Sequence, residues 1–190
     1  MSPTIGWLGR WRVFAHERFP LRENALVVLA NVGAHVLAAR ALTTHGYVTL
    51  GGRDTLLFVA ALAIFFRLRV FDEIKDCTTD RHAHPDRPLA RGLISLTEAK
   101  VAAFSCLAFE GACSAVLGQA AFAAWSLVAG YSLLMYREFF IGWWLRPRLT
   151  TYAVMHTLVA CWIATWTFCA ATGRAFADMP ASYAQLVFAN

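Results

Sequence analysis

Five runs of apolar residues, each long enough to cross about 30 Å of hydrocarbon, constrain this chain more than any other feature of its sequence. They fall at approximately 24–44, 55–71, 98–118, 120–141 and 151–172, and the polar residues gather between them. With 58% hydrophobic and 15% charged residues, against about 45–50% and about 25% in a soluble domain, a water-soluble globule is a poor fit. A disordered chain, a coiled coil and a disulfide-stapled secreted module are excluded. A further run opens at Pro180, where proline suits a first helical turn, but the stretch to Asn190 is too short to span, so the chain is expected to stop within an element. The predicted fold is all-α: a polytopic transmembrane helix bundle of about five spans plus a truncated sixth, in one membrane domain over 23–190.

The formal net charge of +5 does not point to nucleic acid, because the basic residues flank the apolar runs and there mark orientation. Arg10, Arg12, Arg18 and Arg22 precede the first run, Lys75, Arg81, Arg87 and Arg91 follow the second, and Arg146 and Arg148 follow the fourth, whereas Arg53 and Arg174 stand alone in their connections. This alternation predicts a cytoplasmic N-terminus, with 72–95 and 142–150 on the same side and Trp143 and Trp144 at headgroup level. In a bacterium that membrane would be the plasma or inner membrane. Trp7, Leu8, Trp11 and Phe14 recur on one helical side, which predicts an interfacial amphipathic segment over 1–22, ended by Pro20. No signal peptide is apparent before the first run. Cys77, Cys106, Cys113, Cys161 and Cys169 show no C-x-x-C spacing and read as small packing residues. Ser95-Leu-Thr-Glu98 is a capping box that should start the third long helix.

The chemistry concentrates after the second run, in Arg67-Leu-Arg69-Val-Phe-Asp72-Glu73-Ile-Lys75-Asp76-Cys-Thr-Thr-Asp80-Arg81-His82-Ala-His84-Pro85-Asp86-Arg87-Pro88-Leu-Ala-Arg91-Gly92. If the helix continues through Asp80, then with Asp72 at zero, Asp76 falls at about 40°, Asp80 at about 80° and Glu73 at about 100°. Four carboxylates then share a face, with Lys75 and Arg81 pointing elsewhere and Arg69 alone within the arc. Like charges this close repel, so a cation should join them. Magnesium, a hard ion usually held by one or two carboxylates together with substrate phosphates, is the natural one. Arg87 and Arg91 in the next loop suit phosphate oxygens. A solvated helix end would have the same composition, but the shared face and the basic loop favour a metal and diphosphate site.

This segment resembles the first aspartate-rich motif of the UbiA-type intramembrane prenyltransferases, N-D-x-x-D-x-x-x-D followed by a loop ending R-P-L-x-x-G. Asp72 stands at the Asn position, Glu73 at the first Asp, Asp76 and Asp80 match directly, and Arg87-Pro-Leu-Ala-Arg91-Gly92 resembles the loop. The resemblance implies a helical bundle, normally of nine spans, of which this chain would be the N-terminal part. It also implies magnesium-assisted ionisation of a prenyl diphosphate, with an aromatic or lipid acceptor capturing the cation. Asp76 and Asp80 would be catalytic, Asp72, Glu73, Asp76 and Asp80 would hold metal, and Arg69, Arg87 and Arg91 would face the diphosphate. Tyr131-Ser-Leu-Leu-Met135-Tyr136-Arg137 partly resembles the family's Y-x-x-x-K-R, with Met135 in place of lysine. Tyr131, Arg137 and Asn31 are candidates for the acceptor side of the cavity.

The family's second acidic motif has no counterpart. After Asp86 only Glu98, Glu110, Glu138 and Asp178 remain, with no D-x-x-x-D among them. The expectation is a fragment or shortened relative, inactive as a transferase unless another polypeptide completes the site. The alternative is a non-catalytic membrane protein that binds diphosphate or packs beside a complete enzyme. A CDP-alcohol phosphotransferase ranks lower, because no D-G-x-x-A-R precedes the aspartates. Elsewhere, Asn31 and His35 share a face. Glu110 needs neutralisation or a partner inside the membrane. His156 and Arg40 read as a packed imidazole and a snorkelling side chain, and His82 and His84 as loop residues without a zinc set.

Overall fold

The computed structural model describes residues 6–44 and 49–189. Among the described residues eight α-helices follow one another: α1 (Trp7–Arg18), α2 (Leu21–Thr43), α3 (Gly52–Ala83), α4 (Leu96–Leu117), α5 (Gln119–Tyr136), α6 (Gly142–Leu145), α7 (Leu149–Thr172) and α8 (Ala181–Ala189). Single 3-10 turns at Glu138–Phe140 and Phe176–Asp178 join the later ones, and there is no strand among the described residues. Each apolar run lies largely on one helix. Three of these helices, α2, α4 and α7, are long and apolar enough to cross a membrane. Their outward faces carry Leu26, Val27, Val101, Phe104, Val116 and Val154, all exposed, as expected where hydrocarbon is the solvent.

α3 packs along α4, α5 along α7, and α2 against α7. The contacts between helices use small residues, Ala60, Ala61, Ala121, Ala124 and Ala164, which let backbones approach, with Leu57, Ile64, Val128, Trp166 and Phe168 filling the space between. Gly111 belongs to the same logic: any side chain there would collide with the Trp125 ring from α5.

α3 has 32 residues, or about 48 Å at 1.5 Å per residue. Its apolar run ends at Phe71, so roughly its last dozen residues, Asp72 onward, project past that run. A second apolar cluster surrounds this projecting end, built from Phe14, Val70, Phe71, Ile74, Cys77, Leu89, Ile94, Ala99 and Ala103. α1 is therefore fixed to the bundle through Phe14 and through two ion pairs, Arg10 to Glu98 at 2.6 Å and Arg18 to Glu73 at 2.5 Å, while Trp7 and Leu8 stay exposed. The capping box forms as the sequence predicts: Ser95 Oγ accepts from the Glu98 amide, and Glu98 accepts from the Ser95 amide.

α5 ends at Tyr136, earlier than the apolar run suggests. Glu138, Phe139 and Phe140 all have left-handed φ of 48°, 53° and 60°, a conformation that costs roughly 1–2 kcal/mol per L-residue. Glu138 is anchored there by Arg146 at 2.9 Å, and Gly142 gives its carboxylate room that a Cβ would remove.

Deep in the bundle, Arg67 of α3 and Glu110 of α4 are both 0% exposed and form a two-pronged pair, Nε to Oε1 at 2.8 Å and Nη2 to Oε2 at 2.9 Å. Arg67 Nη1 donates to Ser132 Oγ of α5 at 2.7 Å. The lone carboxylate that the sequence exposes in the third run thus has a full ionic partner from the second. Removing one member of such a pair leaves an uncompensated buried charge, which costs about 3–5 kcal/mol, whereas replacing both by apolar groups is often neutral. Glu110→Ala is accordingly expected to lower unfolding free energy by about 3–5 kcal/mol, and Arg67→Met with Glu110→Leu to recover most of it. Equilibrium unfolding in mixed micelles checks this. A double variant that loses the sum of the two single losses would show that the pair is not coupled.

Candidate functional site

The projecting end of α3 carries the acidic cluster, and the sequence around it folds the cluster into a cavity of about 570 Å³. Its walls are Arg18 from α1, Arg69, Asp72, Glu73, Lys75 and Asp76 from α3, Arg87 from the following loop, and Tyr152, Ala153, His156 and Thr157 from α7. Four basic side chains face three acidic ones, so the balance tips positive. Helical spacing alone predicted surplus negative charge; the arrival of Lys75, Arg18 and Arg87, with Asp80 left out of the wall, reverses that. Lys75, assigned by its angle to another side, reaches back on its flexible stem to Asp72 at 3.3 Å and donates to the Tyr152 hydroxyl at 2.7 Å. Arg18 arrives from α1, far away in sequence.

Glu73 is 2% exposed; its Oε1 takes Arg18 at 2.5 Å and Arg69 at 3.7 Å. Its Oε2 is buried with no hydrogen-bond partner. The ion pairs of the region leave out Asp76, which is half-buried beside the same cavity. Burial pushes the Asp76 carboxyl above its ordinary range; Lys75 opposes this, Asp72 and Asp80 add to it, and Arg87 opposes it in turn. Asp80 lies outside the cavity wall and is bound by Arg87 Nη1 at 2.7 Å to each oxygen, so Arg87 links the loop to the helix while bordering the cavity. That hydrogen bond holds the Arg87 guanidinium above its usual range.

The remaining candidates lie elsewhere. Arg91 is exposed and bonds to Glu17 at 2.9 Å and to the Asp86 carbonyl at 2.6 Å. Asn31 is on an exposed face of α2. Tyr131 donates to the Met155 carbonyl at 2.5 Å and borders a separate apolar cavity with Cys161, Trp162 and Phe188. Arg137 is exposed, 6.0 Å from the Tyr136 ring. His35 bonds to the Tyr183 hydroxyl at 3.1 Å, an interhelical link. Arg40, read as a snorkelling side chain, is paired with Asp54 at 2.6 Å. Arg81, His82 and His84 are exposed.

A second cavity, of about 310 Å³, adjoins the polar one. Leu68, Phe71, Ser132, Met135, Tyr136 and Val159 line it, and Asp72, Lys75, His156 and Thr157 border both. Nothing in the local sequence marks Arg18 as a site residue. Tyr152 and His156, four apart on α7 with rings stacked at 4.0 Å, were accessible from spacing.

Among the described residues no group of three or more His, Cys, Asp or Glu is placed to hold a metal ion alone. Magnesium bound together with phosphate asks for less, one or two carboxylates. The orphaned oxygen of Glu73 and the unpaired Asp76, on one cavity, meet that demand, so the residues fit a metal–phosphate complex better than a bare ion. No family model, curated protein or solved structure matches the chain.

A carboxyl whose folded-state pKa is raised contributes stability below its unfolded value and loses it as pH rises through the folded one. Ionised Asp76 therefore weakens the fold at neutral pH. Asp76→Asn is expected to raise the unfolding midpoint at pH 7, with the gain vanishing at acid pH. A lower midpoint at pH 7 would mean that Asp76 is held by attraction, not strained by burial.

Proposed function

We propose that the paired cavities bind a prenyl diphosphate, and that the chain is a UbiA-type membrane prenyltransferase acting with magnesium on an aromatic or lipid acceptor. The observation that carries this reading is the adjacency of a net-basic cavity and an apolar cleft through Asp72, Lys75, His156 and Thr157. A ligand matching both has an anionic head and a hydrocarbon tail. Resemblance of the Asp72–Gly92 segment to the first aspartate-rich motif of that family supports the same class, as does the set of helices at the expected spans. On this reading the bundle has five spans and the N-terminus is cytoplasmic.

Arg18, Arg69, Lys75 and Arg87 would bind the diphosphate and stabilise the charge it gains on leaving. Glu73 and Asp76 would hold magnesium, which when bound adds further positive charge to the leaving group. The cleft would position the tail and keep water from the allylic carbon. Phe71 and Tyr136, whose rings are 4.6 Å apart, border it and would favour a cation through their π systems.

One observation favours a second reading, binding without turnover. The later carboxylates Glu98, Glu110 and Glu138 are already engaged by Arg10, Arg67 and Arg146, and none borders the cavity. A complete site would then need carboxylates from another polypeptide.

With protein in liposomes, labelled geranyl diphosphate and magnesium, saturable binding is expected. Arg69→Gln should weaken it about 10-fold or more, the loss of one charge-assisted hydrogen bond. Chelator-sensitive diphosphate release, abolished by Asp76→Ala, supports the transferase; binding without release supports the second reading. No saturable binding would sink both.

A further inference from the structure

His156 stands at the junction of the two cavities, bordering each. Its Nδ1 lies 2.9 Å from the Tyr152 carbonyl oxygen one turn back. A carbonyl only accepts, so Nδ1 carries the hydrogen, and in the neutral ring Nε2 is then a bare lone pair. That Nε2 is buried with no hydrogen-bond partner.

The ring is also oriented from both sides. Tyr152 stacks on it at 4.0 Å and an interplanar angle of 18°, and Phe139 meets it edge-on at 6.3 Å. Each neighbour is fixed in turn: Tyr152 by Lys75, Phe139 by the left-handed turn that carries it. Swinging the imidazole to find Nε2 a partner would forfeit the Nδ1 bond and the stack. A buried acceptor that is unsatisfied and held in place is expected where a ligand completes it.

We propose that Nε2 of His156 accepts a hydrogen bond from the hydroxyl of a phenol-type second substrate, and then takes the proton this substrate loses. The proposal rests on the prenyl diphosphate reading of the same site. The lone pair requires a donor, and the apolar cleft with Phe71 and Tyr136 in its wall suits an uncharged aromatic body. Lys75, on the border of both cavities, disfavours an ammonium and favours a group that becomes anionic. In the step itself, the bond between the allylic carbon and the diphosphate oxygen breaks, and its electron pair leaves with the diphosphate. An electron pair of the phenol forms the new bond to that carbon, and the O–H proton passes to Nε2.

The test uses full-length protein in nanodiscs with p-cresol as the phenol probe and magnesium pyrophosphate as the head-group probe. In ¹⁵N-histidine spectra, the Nε2 resonance of His156, assigned by its loss in His156→Gln, is expected to move on addition of p-cresol while Nδ1 stays. His156→Leu should weaken p-cresol binding about tenfold. An unmoved Nε2, or p-cresol binding equally to both proteins, overturns the proposal; if pyrophosphate still binds, the prenyl diphosphate reading survives it. Absent pyrophosphate binding in the wild type would defeat that reading and this inference together. Should His156→Leu fail to fold, the wild-type spectra decide alone.

Discussion

A charge enclosed by apolar side chains is screened so weakly that it must lie against an opposite charge or be neutralised, and this requirement organises α3. Along its length the helix begins with Asp54 on Arg40, passes through the bundle with Arg67 on Glu110, and ends with Glu73 on Arg18 and Arg69 and Asp80 on Arg87. These pairs join α3 to α2, α4, α1 and the next loop in turn. They fix its depth and rotation, since sliding it by one residue would separate every pair at once. Hydrophobic packing alone has no such register in a bundle of alanine and leucine faces.

The same requirement shapes the candidate site by what it leaves unmatched. Pairing neutralises Arg67, Glu110 and Asp80 completely, but at the projecting end Glu73 keeps a buried oxygen without a partner, and Asp76 stands outside the ion pairs. Arg18, Arg69, Lys75 and Arg87 surround them. Unmatched carboxylate oxygens inside a ring of cations suit a metal and a polyanion bound together. The apolar cleft beside this ring lies between α3, α5 and α7, with Leu68, Met135 and Val159 in its wall. Binding both halves of an amphiphile in adjoining cavities is how a membrane protein can orient a reactive bond at the boundary between them.

Much of this was legible in the sequence because it is local. The apolar runs set helix positions to within a few residues, and the Ser95–Glu98 spacing marked the start of α4. The 100° step per residue placed Asp72, Glu73 and Asp76 on one cavity with Arg69. Where helical geometry misleads is in treating long side chains as if they pointed along their Cβ: Lys75 folds back to Asp72 and adds a positive charge to the cavity wall. Partners brought by tertiary contact left no local trace, so Arg18 reads in sequence as one of four flanking arginines, and the matching of Arg67 to Glu110 across 43 positions is invisible to spacing. The early end of α5 is likewise hidden, because Glu138, Phe139 and Phe140 are ordinary residues in a left-handed turn that Arg146 and Gly142 stabilise from further along the chain.

The claim on which the functional account turns is that the polar cavity and the apolar cleft form one site for one molecule. A prenyl diphosphate analogue with a photoreactive group at the tail end, irradiated with the protein in liposomes and mapped by mass spectrometry, tests it directly. The account predicts labels on Met135, Tyr136, Thr157 or Val159, displaced by magnesium pyrophosphate, which competes only for the head. Labels scattered over the outward faces of α2 and α4 and insensitive to pyrophosphate would contradict it.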